Sequence, residues 1–155
     1  MNKEEIQSRG QNAGITCDSI KAEIDATYEQ YSTLMDDETI FATVLNGLAS
    51  KLARDLGIEG TRTAEIFREI LQHLKLTLMN ADMTLGGFTP LSPYTGATIK
   101  QYFDEHGIKV VSSSEEQKAN PNSITSEQYQ ALGVLIENIN YVQYRRINPE
   151  QSYTL

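Results

Sequence analysis

The 155-residue chain has little cysteine, little histidine and a shortage of positive charge. Cys17 is the only cysteine, which rules out a disulfide within the chain and any cysteine-based zinc site, and suits a reducing compartment. The two histidines, His73 and His106, have no second group nearby in sequence at the spacing a metal site or a nucleophilic triad requires. Thirteen Lys and Arg against twenty-one Asp and Glu leave a net charge of −8. That balance excludes a broad phosphate-binding surface, because affinity for nucleic acid rests on Lys and Arg neutralising phosphates. There is also no long apolar run, and the first residues, Met1-Asn2-Lys3-Glu4-Glu5, are charged. Neither a signal peptide nor a membrane-spanning helix is therefore expected, and the product is expected in the cytoplasm when made.

The length allows one domain with a real core, and the apolar periodicity makes that domain mainly α, a small helical bundle. Residues 1–15 read as a short helix or an arm. Ile20, Ile24, Tyr28, Tyr31 and Met35 then recur at spacings of three and four, which predicts an amphipathic helix over roughly 17–34, capped by Thr16 or Asp18. Asp36-Asp37-Glu38 follows. Adjacent carboxylates diverge on a helix and no further ligands stand at calcium-loop spacing, so these residues read as a cap and first turn, not as a metal site.

The next helix is the clearest of all, with Ile40, Val44, Leu48, Leu52 and Leu56 in one row and Phe41, Leu45, Ala49 and Ala53 beside it. Gly57 is placed for a left-handed C-terminal cap and Gly60 adds a second break. Thr61 or Thr63 opens a third helix that runs to about Ala81. Its apolar arc, from Ile66 and Phe67 through Leu71 to Met79, is broad enough to need cover on two sides, from this chain or a neighbour.

Residues 84–96, rich in Gly and Pro, read as an extended arm; Gly86-Gly87 lacks the following Lys-Ser or Lys-Thr of a phosphate loop. A short helix over 97–106 is expected to stop at Gly107, with a brief strand over 108–111 and an exposed loop over 112–123. Asp104-Glu105-His106 reads as a charged helix end. Thr125 and Gln128 form a capping-box pattern that opens a last helix carrying Tyr129, Leu132, Ile136, Ile139 and Val142. Residues 147–155 are a tail. Four of the eight tyrosines lie between Tyr129 and Tyr153, and tyrosine with arginine is the usual anchor pair of protein interfaces.

No catalytic signature, cofactor motif or metal-ligand set is recognisable, and no enzyme is expected. Asp36, Asp37, His73, Asp104, Glu105 and His106 are the acid–base candidates, and a reaction would need two of them in one pocket.

The stretch Val44-Leu45-Asn46-Gly47-Leu48-Ala49-Ser50-Lys51-Leu52-Ala53-Arg54-Asp55-Leu56-Gly57 resembles the central helix of head-to-tail adaptor (connector) proteins of tailed bacteriophages, especially short-tailed ones. Leu48-Ala49, Leu52-Ala53 and Gly57 match that pattern, residues 61–81 supply the second long helix, and Phe88 to Tyr94 fit the Pro-rich arm. Gly47 stands where an Asn is usual. The resemblance implies a structural virion protein of the phage neck, a ring of about twelve copies joining the portal to the tail proteins around the DNA channel. DNA would be passing cargo on an acidic wall, and neither a membrane nor a cofactor is implied. The interface candidates are Phe67, Leu71, Phe88, Pro90, Tyr94, Tyr141, Tyr144, Arg145, Arg146, Tyr153 and Leu155. The reading from another class is an acidic helical binding or inhibitor protein that masks a basic partner.

Overall fold

The computed structural model describes residues 15–80 and 93–147, with side chains in the second stretch from Thr95 onward. Among the described residues the order is α1 (Cys17–Tyr31), α2 (Asp37–Asp55), α3 (Arg62–His73), α4 (Lys75–Asn80), α5 (Pro93–His106), β1 (Lys109–Val111), α6 (Ser114–Ala119), β2 (Ser123–Thr125) and α7 (Ser126–Ile147). The protein is mainly α, a small helical bundle with one two-stranded parallel sheet. The expected arm at residues 1–14, most of the arm at 84–96, and the tail from 148 onward lie outside the described residues, and with them Phe88, Pro90, Tyr153, Leu155 and the side chain of Tyr94.

Helix ends follow local chemistry closely. Thr16 caps α1 through a capping box, its Oγ1 accepting from the Ser19 amide at 3.1 Å while Ser19 Oγ accepts from the Thr16 amide at 3.0 Å. Asp36 Oδ1 accepts from the Thr39 amide at 2.7 Å, and Thr61 Oγ1 from Ala64 at 3.3 Å. At the C-terminus of α2, Gly57 takes φ 70°. The Ile58 amide then reaches back to Ala53 O at 2.9 Å and the Gly57 amide to Arg54 O at 3.1 Å. These two bonds satisfy carbonyls that a helix end leaves open, and only a residue at ease in the left-handed region allows them.

Packing is organised around α2 and α7. α2 lies against α1 and α3, and α7 lies against α1 and α4. Ile40, Phe41, Val44, Leu45, Leu48, Ala49 and Leu52 are fully buried; burying a large apolar side chain contributes roughly 1.5–3 kcal/mol before entropy is counted. Gln72 of α3 donates to Ala42 O at 2.9 Å and to Asn46 Oδ1 at 3.1 Å, so the small-residue side of α2 (42, 46, 49, 53) faces α3. From Leu132 to Tyr144 only Val134 and Asn140 escape burial, which makes α7 a central helix and not one with a single apolar face. Its middle is joined to the first turn of α1 by a buried bond, Cys17 Sγ donating to Asn138 Oδ1 at 2.9 Å, with Asn138 Nδ2 donating to Val134 O.

Three expectations are corrected. The third helix is two: α3 ends at His73, the chain turns at Leu74 (φ −89°, ψ 0°), and α4 continues. The break lets α3 stay on α2 while α4 swings onto α7, which one straight rod could not do. Residues 93–96 belong to α5, because a proline in the first turn forfeits no hydrogen bond. The loop expected over 112–123 contains α6 and the start of β2. Ser113 caps α6 by accepting from Glu116 at 3.2 Å, and Gln117 binds Thr63 Oγ1 at 2.9 Å and Gln128 Oε1 at 2.8 Å. Those bonds, made to α3 and α7, hold a helix that its own polar sequence does not announce.

Candidate functional site

Among the described residues, most of those put forward as interface anchors pack inside the chain. Phe67 and Leu71 are fully buried, and Tyr141 and Tyr144 nearly so. These four side chains pack within the chain itself: α3 lies against α2 and β2, and α7 against α1, α4, β1 and β2. Arg145 is half-buried. Arg146 is spent within the bundle, its Nη1 lying 3.2 Å from Asp25 Oδ1 and its guanidinium 5.0 Å from the Tyr28 ring centroid.

The two histidines, isolated in sequence, come to the same ring, that of Tyr102. The His73 ring centroid lies 4.8 Å from that of Tyr102, tilted by 45°, and His106 stacks on Tyr102 at 4.0 Å. Tyr102 also donates toward Glu69 Oε1 at 3.4 Å; burial and the Glu69 carboxylate raise its hydroxyl above the ordinary tyrosine value. Glu69 pairs with Arg62, whose Nε donates to Asn122 Oδ1 at 3.0 Å. Asn122 in turn donates to His106 O at 3.1 Å and Gly107 O at 3.0 Å. The network therefore pins the end of α5 to the start of β2 and to α3. Both histidines are exposed, and His106 Nδ1 also bonds Tyr102 O at 2.9 Å. Of the other acid–base candidates, Asp104 and Glu105 face solvent on α5, paired with Lys100 at 3.0 Å and Gln101 at 3.2 Å. Asp36 is held below the usual carboxylate range by the Thr39 amide and hydroxyl, with the charge of Lys75 a smaller contribution. Among the described residues no three His, Cys, Asp or Glu side chains come together as a metal site.

A cleft of about 360 Å³ opens at the carboxyl ends of β1 and β2, lined by Leu56, Ser112, Ser113, Ser114, Thr125, Glu127 and Gln128. Parallel strands commonly present ligands at that end. Here one first-turn amide is already taken: Thr125 Oγ1 accepts from Gln128 N at 3.1 Å, while Gln128 Oε1 accepts from Thr125 N at 3.0 Å. Glu127 adds a negative charge, so the cleft does not suit an anion.

The distinctive surface is at the opposite end of α2. Leu34 is 75% exposed, Met35 40%, Leu76 56% and Ile147 51%. Four bonds bring their parent elements together. Lys75 reaches Glu38 Oε1 at 2.8 Å, which sets Leu76 beside the first turn of α2. Leu34 and Met35 immediately precede that turn. Tyr28 Oη donates toward Asp37 O at 3.4 Å while Arg146 covers the Tyr28 ring and binds Asp25, which brings Ile147 to the same end. The only other large apolar side chain exposed among the described residues is Val110 on β1, 48% exposed. Single exposed apolar residues are ordinary; these four are carried by elements joined at one end of the bundle, near Asp36 and Asp37, and apolar area exposed there is unfavourable in water. No signal in the sequence marks it, because its members come from two helices and a turn far apart in the chain.

Among the described residues no helix is long and apolar enough to cross a membrane. No protein family, no curated protein and no solved structure matches the chain.

Proposed function

We propose that the chain is a structural subunit that works by self-assembly, of the head-to-tail adaptor kind found in tailed phages: a ring between portal and tail proteins, with DNA as passing cargo. The observation that carries the assembly half of this reading is the apolar end of the bundle formed by Leu34, Met35, Leu76 and Ile147. Exposed apolar area of this kind marks a contact surface, and contact is its only evident use here. The phage half rests on the resemblance of residues 44–57. Their buried face carries Leu48, Ala49, Leu52 and Ala53 against neighbouring helices, which agrees with a bracing helix pair. The net charge of −8 suits a wall along which DNA slides without being trapped.

Light scattering combined with negative-stain imaging, alone and with a phage portal protein, tests it. The expected result is rings of about twelve copies, formed alone or on the portal. The double substitution L34D/L76D should return the particle to monomer with its helix content unchanged. A protein that stays monomeric at high concentration, ignores the portal and binds one basic partner tightly would overturn the reading in favour of an acidic binding protein.

A further inference from the structure

We propose that copies of this chain join head to tail, the turn at Leu34 and Met35 of one copy seating against the outer edge of β1 in the next. This rests on the assembly reading above and names the two surfaces that meet. The first observation is placement. Leu34 and Met35 stand at the N-terminus of α2, whereas Leu56, at its C-terminus, lines one cleft with Ser112, just past β1. A helix of 19 residues is about 28 Å long at 1.5 Å per residue. The two exposed apolar features therefore sit at opposite ends of the bundle. Surfaces that differ and face opposite ways make a heterologous contact, which repeats into a ring or a filament and cannot close as a simple twofold dimer.

The second observation is the open edge of β1. The Lys109 amide donates to Asn122 O at 3.3 Å, and Lys109, Val110 and Val111 pair in parallel with Ser123, Ile124 and Thr125. In a parallel ladder alternate residues bond the same neighbour, so Lys109 and Val111 turn their backbone groups to β2 while Val110 turns its N–H and C=O outward. Among the described residues nothing pairs with that edge, and two strands alone make a marginal sheet. An incoming turn finds one donor, one acceptor and the Val110 side chain. Asp36 is extended at φ −74° and ψ 164°; its C=O already accepts from Ile40 N at 3.0 Å, so of its backbone only the N–H is offered to that edge.

The third observation is charge. Asp36 and Asp37 are exposed beside Leu34 and Met35, and Lys109 is exposed beside Val110. The acids on the β1 side are Glu115 and Glu116, in the first turn of α6, where Glu116 is held by Ser112 Oγ, and Glu127 in the first turn of α7, across the cleft from Ser112. Opposite signs across the junction fix its polarity, since two Leu34 ends brought together would juxtapose four aspartates.

Cysteine substitution reads the geometry directly, because the native Cys17 is buried and does not compete. L34C and V110C are prepared separately, mixed, oxidised and run on non-reducing gels beside light scattering of the unoxidised samples. The expected result is a disulfide dimer in the mixture, little in either variant alone, and a ladder from the chain carrying both substitutions. Because a disulfide demands close Cα approach, a charge exchange provides the second reading. K109E and D37K should each weaken association at least tenfold, and mixing the two variants should restore at least half of it. If L34C alone cross-links as efficiently as the mixture, or if scattering shows oligomers with neither cross-link nor charge rescue, the head-to-tail contact is overturned while assembly stands. If scattering shows a monomer throughout, alone and on the portal, assembly itself falls and the contact with it.

Discussion

Gly47 lies in the interior of α2, where glycine costs a helix about 1 kcal/mol relative to alanine. Such a glycine is commonly explained by a neighbouring backbone that leaves no room for a side chain. Here a Cβ at position 47 would meet Glu23 Oε1 at 2.7 Å and Glu23 Cδ at 3.8 Å, and no other described atom within 4 Å. The obstacle is the tip of a flexible, half-exposed side chain on α1, not a backbone. Turning that tip aside costs on the order of 0.5–1 kcal/mol if it must leave its preferred rotamer, and less if an equivalent one is open. Gly47→Ala should thus be neutral to stabilising, between 0 and about 1 kcal/mol. In a Glu23→Ala background the obstacle is gone and the same change should yield the full gain of about 1 kcal/mol. Urea unfolding followed by far-ultraviolet circular dichroism gives the four free energies of the cycle, with an unchanged slope as the control. A loss of more than about 1 kcal/mol for Gly47→Ala in the Glu23→Ala background would refute the reasoning, since it would mean that α1 backbone fills the space.

Leu71→Ala should cost about 2–5 kcal/mol of unfolding free energy at every protein concentration, because Leu71 is buried in its own chain; a small loss that grows on dilution would return it to an interface. Asn122→Ala removes the bonds to Arg62, His106 O and Gly107 O together. It should cost about 1–3 kcal/mol, seen as a fall in Tm, and proteolysis should then cut first around Gly107. Acid should act through the cap of α2. Asp36 is depressed in the folded state by the Thr39 amide, so its contribution is complete above the ordinary aspartate value and is lost as pH falls through the depressed one. Tm measured from pH 6 downward should therefore fall less steeply in Asp36→Ala than in the wild type, and parallel curves would remove Asp36 from the account.

The sequence announced those parts of the fold that local chemistry dictates. The two apolar rows of α2, the cap regions of the helices, with Thr16 or Asp18 and Thr61 or Thr63 as alternatives that the structure decides for Thr16 and Thr61, the Thr125 cap, and the stops at Gly57 and Gly107 all lie within a few residues of the groups they satisfy. What was hidden depends on partners far along the chain. β2 is three residues, Ser123-Ile124-Thr125, too short to show a period of two, and it is a strand because Lys109 to Val111 lies beside it. α6 is polar throughout and is held by Gln117 to Thr63 and Gln128. Tyr141 and Tyr144 read as surface anchors because a tyrosine looks the same in sequence whether it faces a partner or its own core. The candidate surface was the least legible of all: Leu34, Met35, Leu76 and Ile147 are scattered over more than a hundred positions, roughly, and only the joining of four elements gathers them.

The bond between Cys17 and Asn138 links the first turn of the first described helix to the middle of the central one. A thiol shut away there can react with a water-borne reagent only while α1 stands apart from α7. Its labelling rate is therefore a clock for that separation, wound into the native sequence with no probe added. If the rate follows denaturant with the slope of global unfolding, α1 belongs to the last part of the protein to let go. If it runs faster and with a shallow slope, α1 opens alone, as a separate cooperative unit.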